Sequence, residues 1–151
     1  MKDFEERFSE LQADMISICM EYVEDRTDKV YVYASYEAGM TSSSFFYLIN
    51  NKYVEAYKLN DALEDGDKRY DVSTERGFMV LDIINENVEK MEELCKEYER
   101  DMPTELKLIY DVKSGNFKAE YKYDLVYTND DIKTADHIAE EWFEEIKNNN
   151  L

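Results

Sequence analysis

Three kinds of residue in this 151-residue chain could do chemistry: one histidine, two cysteines and 36 carboxylates. A Ser–His or Cys–His nucleophile would have to use His137, the only histidine. His137 follows Asp136 and lies beside an apolar stripe running from Ile138 to Trp142, which reads as a partly exposed helix position rather than a catalytic base. Cys19 and Cys95 each fall on the apolar side of a helical pattern, where a free thiol packs as a small hydrophobe. A zinc site would need a His pair or neighbouring cysteines, and the chain has neither. Asp61-Ala62-Leu63-Glu64-Asp65-Gly66-Asp67 is similar to a fragment of a calcium loop. It lacks the alternating oxygen ligands and the spaced terminal Glu of an EF-hand. The 4 glycines form no G-x-G pair, so there is no phosphate loop or dinucleotide fingerprint. The expectation is therefore no catalytic residue, no metal and no cofactor.

The carboxylates remain. Against 18 basic residues they give a formal net charge of -18. Such a surface repels a phosphate backbone and an anionic membrane, which argues against nucleic acid and lipid as direct partners. Hydrophobic residues at 44% and aromatics at 14%, with 13 tyrosines, are too many for a disordered acidic tail. The charge is also uneven. Residues 1–28 carry -6, 29–54 carry +1, 55–101 carry -8, 102–128 carry 0 and 129–151 carry -5. The segments patterned as strands are near neutral, and the acid lies on helices and in the stretch 59–72. That distribution reads either as ordinary solvated helix faces or as a field that attracts a basic protein.

The elements that position these charges follow from periodicity. Phe4, Phe8, Leu11, Met15, Ile18, Cys19, Tyr22 and Val23 recur at helical spacing within 3–25. Lys29–Tyr36, Ser44–Ile49 and Lys52–Tyr57 are rich in β-branched and aromatic residues and read as three antiparallel strands, with Asn50-Asn51 as a two-residue turn. Residues 59–72 read as a loop with one helical turn at most. Ser73 or Thr74 caps a helix whose stripe runs Leu81, Ile84, Val88, Met91, Cys95, Tyr98 and Met102, stopped by Pro103. Leu106–Val112 and Phe117–Tyr123 alternate around Ser114-Gly115-Asn116 as a hairpin. Thr134 caps a last helix carrying Ala135, Ile138, Ala139, Trp142, Phe143 and Ile146, and Asn148–Leu151 reads as a frayed tail. The order α-β-β-β-α-β-β-α gives an α+β class: one domain over 1–151, with a mainly antiparallel five-stranded sheet packed with helices. In the first strand Val30, Val32 and Ala34 face one way, and Tyr31, Tyr33 and Ser35 the other. Tyrosine is enriched at interfaces, so an open tyrosine face flanked by acidic helices would suit a protein partner.

No segment approaches the roughly 18 apolar residues of a membrane span. The acidic start Met1-Lys2-Asp3-Phe4-Glu5-Glu6 lacks the pattern of a signal peptide, so the cytoplasm is the expected location.

Val30-Tyr31-Val32-Tyr33-Ala34-Ser35-Tyr36, with Ser44-Phe45-Phe46-Tyr47 and Tyr53, resembles the first hairpin of the YezG/EsaG-type immunity proteins. Met102-Pro103-Thr104-Glu105-Leu106, running on to Asp111, and Ser114-Gly115-Asn116-Phe117, running on to Tyr123-Asp124, are similar to that family's C-terminal hairpin. Thr104 stands where the family carries a tryptophan. The resemblance implies a non-enzymatic cytoplasmic antitoxin that neutralises a basic toxin domain, often a nuclease, delivered by a type VII secretion system of Gram-positive bacteria. On that reading the candidate contacts are Asp61, Glu64, Asp65, Asp67 and Asp71, the helix carboxylates Glu86, Glu89 and Glu93, and Tyr31 and Tyr33 as aromatic anchors. Two other readings stay open: an acidic adaptor or regulator with a non-toxin partner, and an acid–base enzyme. The enzyme needs a concave pocket with converging carboxylates.

Overall fold

Strand β1 (Lys29–Glu37) is the centre of the molecule. It pairs antiparallel with β2 (Met40–Ile49) from Lys29↔Leu48 to Glu37↔Met40, and with β4 (Glu105–Asp111) from Lys29↔Asp111 to Ser35↔Glu105. β3 (Lys52–Glu55) and β5 (Phe117–Lys122) complete a five-stranded antiparallel sheet in the order β3-β2-β1-β4-β5. Three helices surround it: α1 (Phe4–Tyr22), α2 (Thr74–Glu97) and α3 (Ala135–Asn149). This computed structural model describes residues 3–128 and 133–151. The element order and the α+β class are those expected from the pattern.

Local chemistry explains the joints. The β1–β2 turn takes Ala38 and Gly39 at φ 51° and 75°, and the β2–β3 turn takes Asn50 and Asn51 at 51° and 63°. Paired left-handed residues match the twist of a hairpin, and Gly39 and the two asparagines meet that need at least strain. The third strand is shorter than its composition implies. At Ala56 the chain turns into a 3₁₀ segment, Ala56–Ala62, which ends the pairing of β2 at Phe46↔Glu55. Asn60 holds the following loop by exchanging hydrogen bonds with the Tyr70 backbone at 2.8 and 3.1 Å. The Tyr70 hydroxyl donates to the Arg26 carbonyl at 2.7 Å, and the Arg26 guanidinium stacks 4.0 Å from the Tyr70 ring centroid. α2 stops at Glu97, before Pro103. Glu99 adopts φ 54° and the Arg100 N–H donates to the Cys95 carbonyl, so a left-handed cap ends the helix first. Tyr98 and Met102 therefore lie beyond the helix.

Two cores form, one on each sheet face. Val30, Val32, Ala34, Phe45, Tyr47, Leu106 and Leu108 meet Met15, Cys19, Val80, Ile84, Val88 and Met91 of α1 and α2. Both cysteines are buried free thiols. On the opposite face Tyr31, Tyr33 and Phe46 meet Ala139, Trp142, Phe143 and Ile146 of α3. Phe46 lies edge-on to Trp142 at 5.2 Å and stacks with Tyr31 at 4.6 Å. The expected open tyrosine face is thus closed. Tyr31 and Tyr33 are 0% and 1% exposed, and the Tyr33 hydroxyl donates to the buried Glu105 carboxylate at 3.1 Å. They are corrected from surface anchors to core residues, because the apolar stripe of α3 needs a sheet face and takes this one.

α3 is fixed at both ends. The Thr134 hydroxyl accepts from the His137 N–H, and His137 Nδ1 accepts from the Thr134 N–H, a reciprocal cap that gives the lone histidine a structural task. The C-terminal tail does not fray. Asn150 sits at φ 54°, the Leu151 N–H donates to the Ile146 carbonyl at 3.1 Å, and Lys29 Nζ donates to the Leu151 carbonyl at 2.8 Å.

Glu37, at the end of β1, anchors the segment leading towards α3. It is buried, and its carboxylate accepts from the N–H groups of Val126, Tyr127 and Thr128 and from the Thr128 hydroxyl. Burial alone pushes its carboxyl up. The hydrogen bonds from Thr128, Val126 and Tyr127 outweigh that and hold it below the usual range. A carboxylate whose folded pKa is depressed stabilises the fold fully above its unfolded value, about 4.3. That contribution is lost as pH falls through the folded value. Acid titration followed by amide exchange at residues 126–128 should show this segment loosening below pH about 4. Glu37→Gln should loosen it already at neutral pH and flatten the acid dependence. Identical profiles for the two proteins would contradict the assignment. Tyr31→Ala should lower unfolding free energy by about 3–5 kcal/mol in urea denaturation, as for other large core aromatics. An unchanged midpoint would return Tyr31 to the surface.

Candidate functional site

Among several concavities in the surface, one lies at the edge of the sheet. A groove of about 540 Å³ runs along the part of β2 that β3 fails to cover. Its floor is Ser43, Ser44, Phe45 and Phe46. One wall is the first turns of α2, with Thr74, Gly77, Phe78 and Leu81. The other is α3, with Asp136, Ala139, Glu140, Phe143 and Glu144. Glu55, Ala56 and Tyr57 close one end. The groove exists because α2 and α3 cover opposite faces of the sheet and both overhang its edge.

Its chemistry is apolar below and anionic at the rim. Phe78 and Tyr57, which both line the groove, are each 62% exposed. Such residues clustered at a concavity mark an interaction surface, whereas single exposed apolar residues do not. Asp136, Glu140 and Glu144 recur at four-residue spacing, so α3 presents a column of like charges to the groove. Like charges at that spacing destabilise a helix by about 0.2–0.5 kcal/mol per pair. Of the three, Asp136 is offset by its place in the first turn of α3, where the helix N-terminus favours a carboxylate. Among the described residues the ion pairs lie elsewhere, as in Lys96–Glu92, Arg100–Glu5 and Lys133–Glu141. The Tyr57 phenol is pushed up by its interaction with the Glu55 carboxylate, then by burial and by the charges of Glu55 and Glu140.

The residues singled out from the sequence sit elsewhere. Asp61, Glu64, Asp65, Asp67 and Asp71 are exposed along the 3₁₀ segment and the loop after it. Two of them hold the loop. Asp67 accepts from the Glu64 N–H at 2.9 Å and from Asn50 Nδ2 at 3.1 Å, and Asp71 accepts from the Ser73 N–H at 3.0 Å. Those hydrogen bonds keep both carboxyls below their usual value. Glu86, Glu89 and Glu93 are exposed on α2, spaced three and four apart on the face turned from the core. They extend the acidic surface and do not line the groove. Sequence reasoning missed Glu55, Tyr57, Phe78, Asp136, Glu140 and Glu144. Two signals were present: Phe78-Met79, apolar but off the α2 stripe, and the four-residue repeat of acid on α3.

Outside the groove, Glu37, Asp67 and Asp71 are held low by the hydrogen bonds with which they fix their loops. Among the described residues no three His, Cys, Asp or Glu side chains converge to hold a metal ion.

Glu140→Gln, which relieves two like-charge pairs, should raise stability by about 0.5 kcal/mol at low salt, and the gain should shrink as salt screens it. Loss of stability would mean that Glu140 already has a favourable partner. Phe78→Ser should change stability by no more than about 0.5 kcal/mol, as expected of a surface position. A larger loss would place Phe78 in the core. No family model and no curated protein matches this chain.

Proposed function

We propose that this chain is a non-catalytic inhibitor: a cytoplasmic immunity protein that binds and neutralises a basic toxin domain, a nuclease exported by a type VII system. The observation that carries the reading is the groove, where exposed Phe78 and Tyr57 are rimmed by Glu55, Asp136, Glu140 and Glu144. A nuclease holds phosphates and needs a cationic cleft. The rim carboxylates would steer such a partner in, and desolvated aromatic anchors would slow its departure. The net charge of -18 adds a long-range field of the right sign. The likeness of both hairpins to YezG/EsaG-type proteins supports the same class of partner. Among the described residues no helix is long and apolar enough to cross a membrane.

The test is reconstitution with a nuclease domain encoded beside this chain. Co-purification should give a stable complex with cleavage abolished, and the association rate should fall steeply with ionic strength. Cleavage that persists under saturating amounts of this protein would defeat the inhibitor reading for that toxin.

A further inference from the structure

The two edges of the sheet are built differently. Along β5, Lys118, Glu120 and Lys122 place charges at every second position, a common guard against a further strand. β2 lacks that guard. Its pairing with β3 ends at Phe46↔Glu55, while its pairing with β1 continues to Glu37↔Met40. The stretch Met40-Thr41-Ser42-Ser43-Ser44-Phe45 therefore has a strand on one side only, and it carries no charge. Alternation shows which groups face outward. The Tyr36 N–H donates to the Thr104 carbonyl on the β4 side at 2.9 Å, so Tyr33 and Ser35 turn their polar backbone groups to β2, opposite Ser44 and Ser42. Thr41 and Ser43 then turn theirs to the open side. Among the described residues no backbone partner meets them there. The Ser43 hydroxyl, shielded from solvent, also has no hydrogen-bond partner. A shielded hydroxyl without a partner is costly, and an added strand would pair the open backbone groups beside it.

The walls specify what that strand carries. Phe45 points to the α1–α2 core and Phe46 to the α3 core, so a strand laid beside them alternates between the same two sides. On the α2 side it meets Phe78. On the α3 side it meets Asp136, Glu140 and Glu144. We propose that the groove is a strand-addition slot for an extended protein segment of alternating apolar and basic residues. Its main chain bonds to Thr41 and Ser43, its apolar side chains pack on Phe78, and its Lys or Arg side chains meet the α3 carboxylates. The proposal rests on the function above only in taking a cationic protein as the partner.

The probe is a capped synthetic peptide, Lys-Val-Lys-Val-Lys-Thr-Lys, titrated into ¹⁵N-labelled protein. The Thr41 and Ser43 amides should shift and become protected from exchange. The same peptide with N-methyl groups on alternate residues keeps its charge and loses its ladder bonds, and should bind roughly tenfold more weakly or worse. Glu140→Lys with Glu144→Lys should weaken the unmodified peptide to a similar degree. Equal binding of the two peptides would reduce the interaction to charge alone and overturn the slot. Protection confined to β5 or to residues 61–71, or no binding at millimolar peptide, would overturn it too. Toxin inhibition without protection of β2 would remove the slot and leave the inhibitor. Peptide binding with protection of β2 but no inhibition of a toxin would leave the slot and remove the inhibitor.

Discussion

The structure depends on one constraint: β1 is paired along both edges and buried on both faces. Val30, Val32 and Ala34 are fully enclosed by α1 and α2, and Tyr31 and Tyr33 by α3. An antiparallel sheet commonly leaves one face to water. Here the strand alternates small aliphatic with aromatic side chains, and neither set is polar, so both faces demand cover. Two helices meet the first demand and a third meets the second. Because the covering helices lie on opposite faces, they flank the sheet edge where β3 stops short, and the groove follows from that geometry.

The charge distribution obeys the same constraint. With every β1 residue buried or half-buried, most of the acid lies on helix faces and in the loop region. The strand-forming segments together hold +1 and the remainder -19. The exceptions are informative. Glu37 and Glu105 are buried in the sheet, and each is provided for: Glu37 by the 126–128 backbone, Glu105 by the Tyr33 hydroxyl and by Lys107 and Lys122 at 3.6 and 3.8 Å. Glu140 and Glu144, further along α3 than Asp136, have no ion pair among the described residues. Folds commonly carry uncompensated features of this kind where they bind something.

The architecture was legible because its signals are local. The stripes of α1 and α2, the alternation of β4 and β5, the Asn50-Asn51 turn and the Thr134 cap each lie within a few residues of sequence. The binding surface was less legible because it is made by non-local choices. Alternation correctly set Tyr31 and Tyr33 opposite Val30 and Val32. Which helix would cover them depended on matching a stripe more than a hundred positions away with that face. The end of β3 at Glu55 was hidden for a similar reason. Tyr53-Val54-Glu55-Ala56-Tyr57 reads as strand throughout, yet the loop's ties to Asn60 and Arg26 pull the chain into a 3₁₀ turn. That early stop opens the edge of β2. Phe78 marks the groove in sequence only as an apolar residue off the amphipathic stripe of α2.

The central claim is that a cationic protein partner is held at the open edge of β2, between α2 and α3. Hydrogen exchange read by mass spectrometry on the complex with that partner tests it most directly. Residues 40–45 should become protected together with 74–81 and 136–144, while β5 is unchanged. Protection centred on β5 or on residues 61–71, with residues 40–45 exchanging as in the free protein, would contradict it.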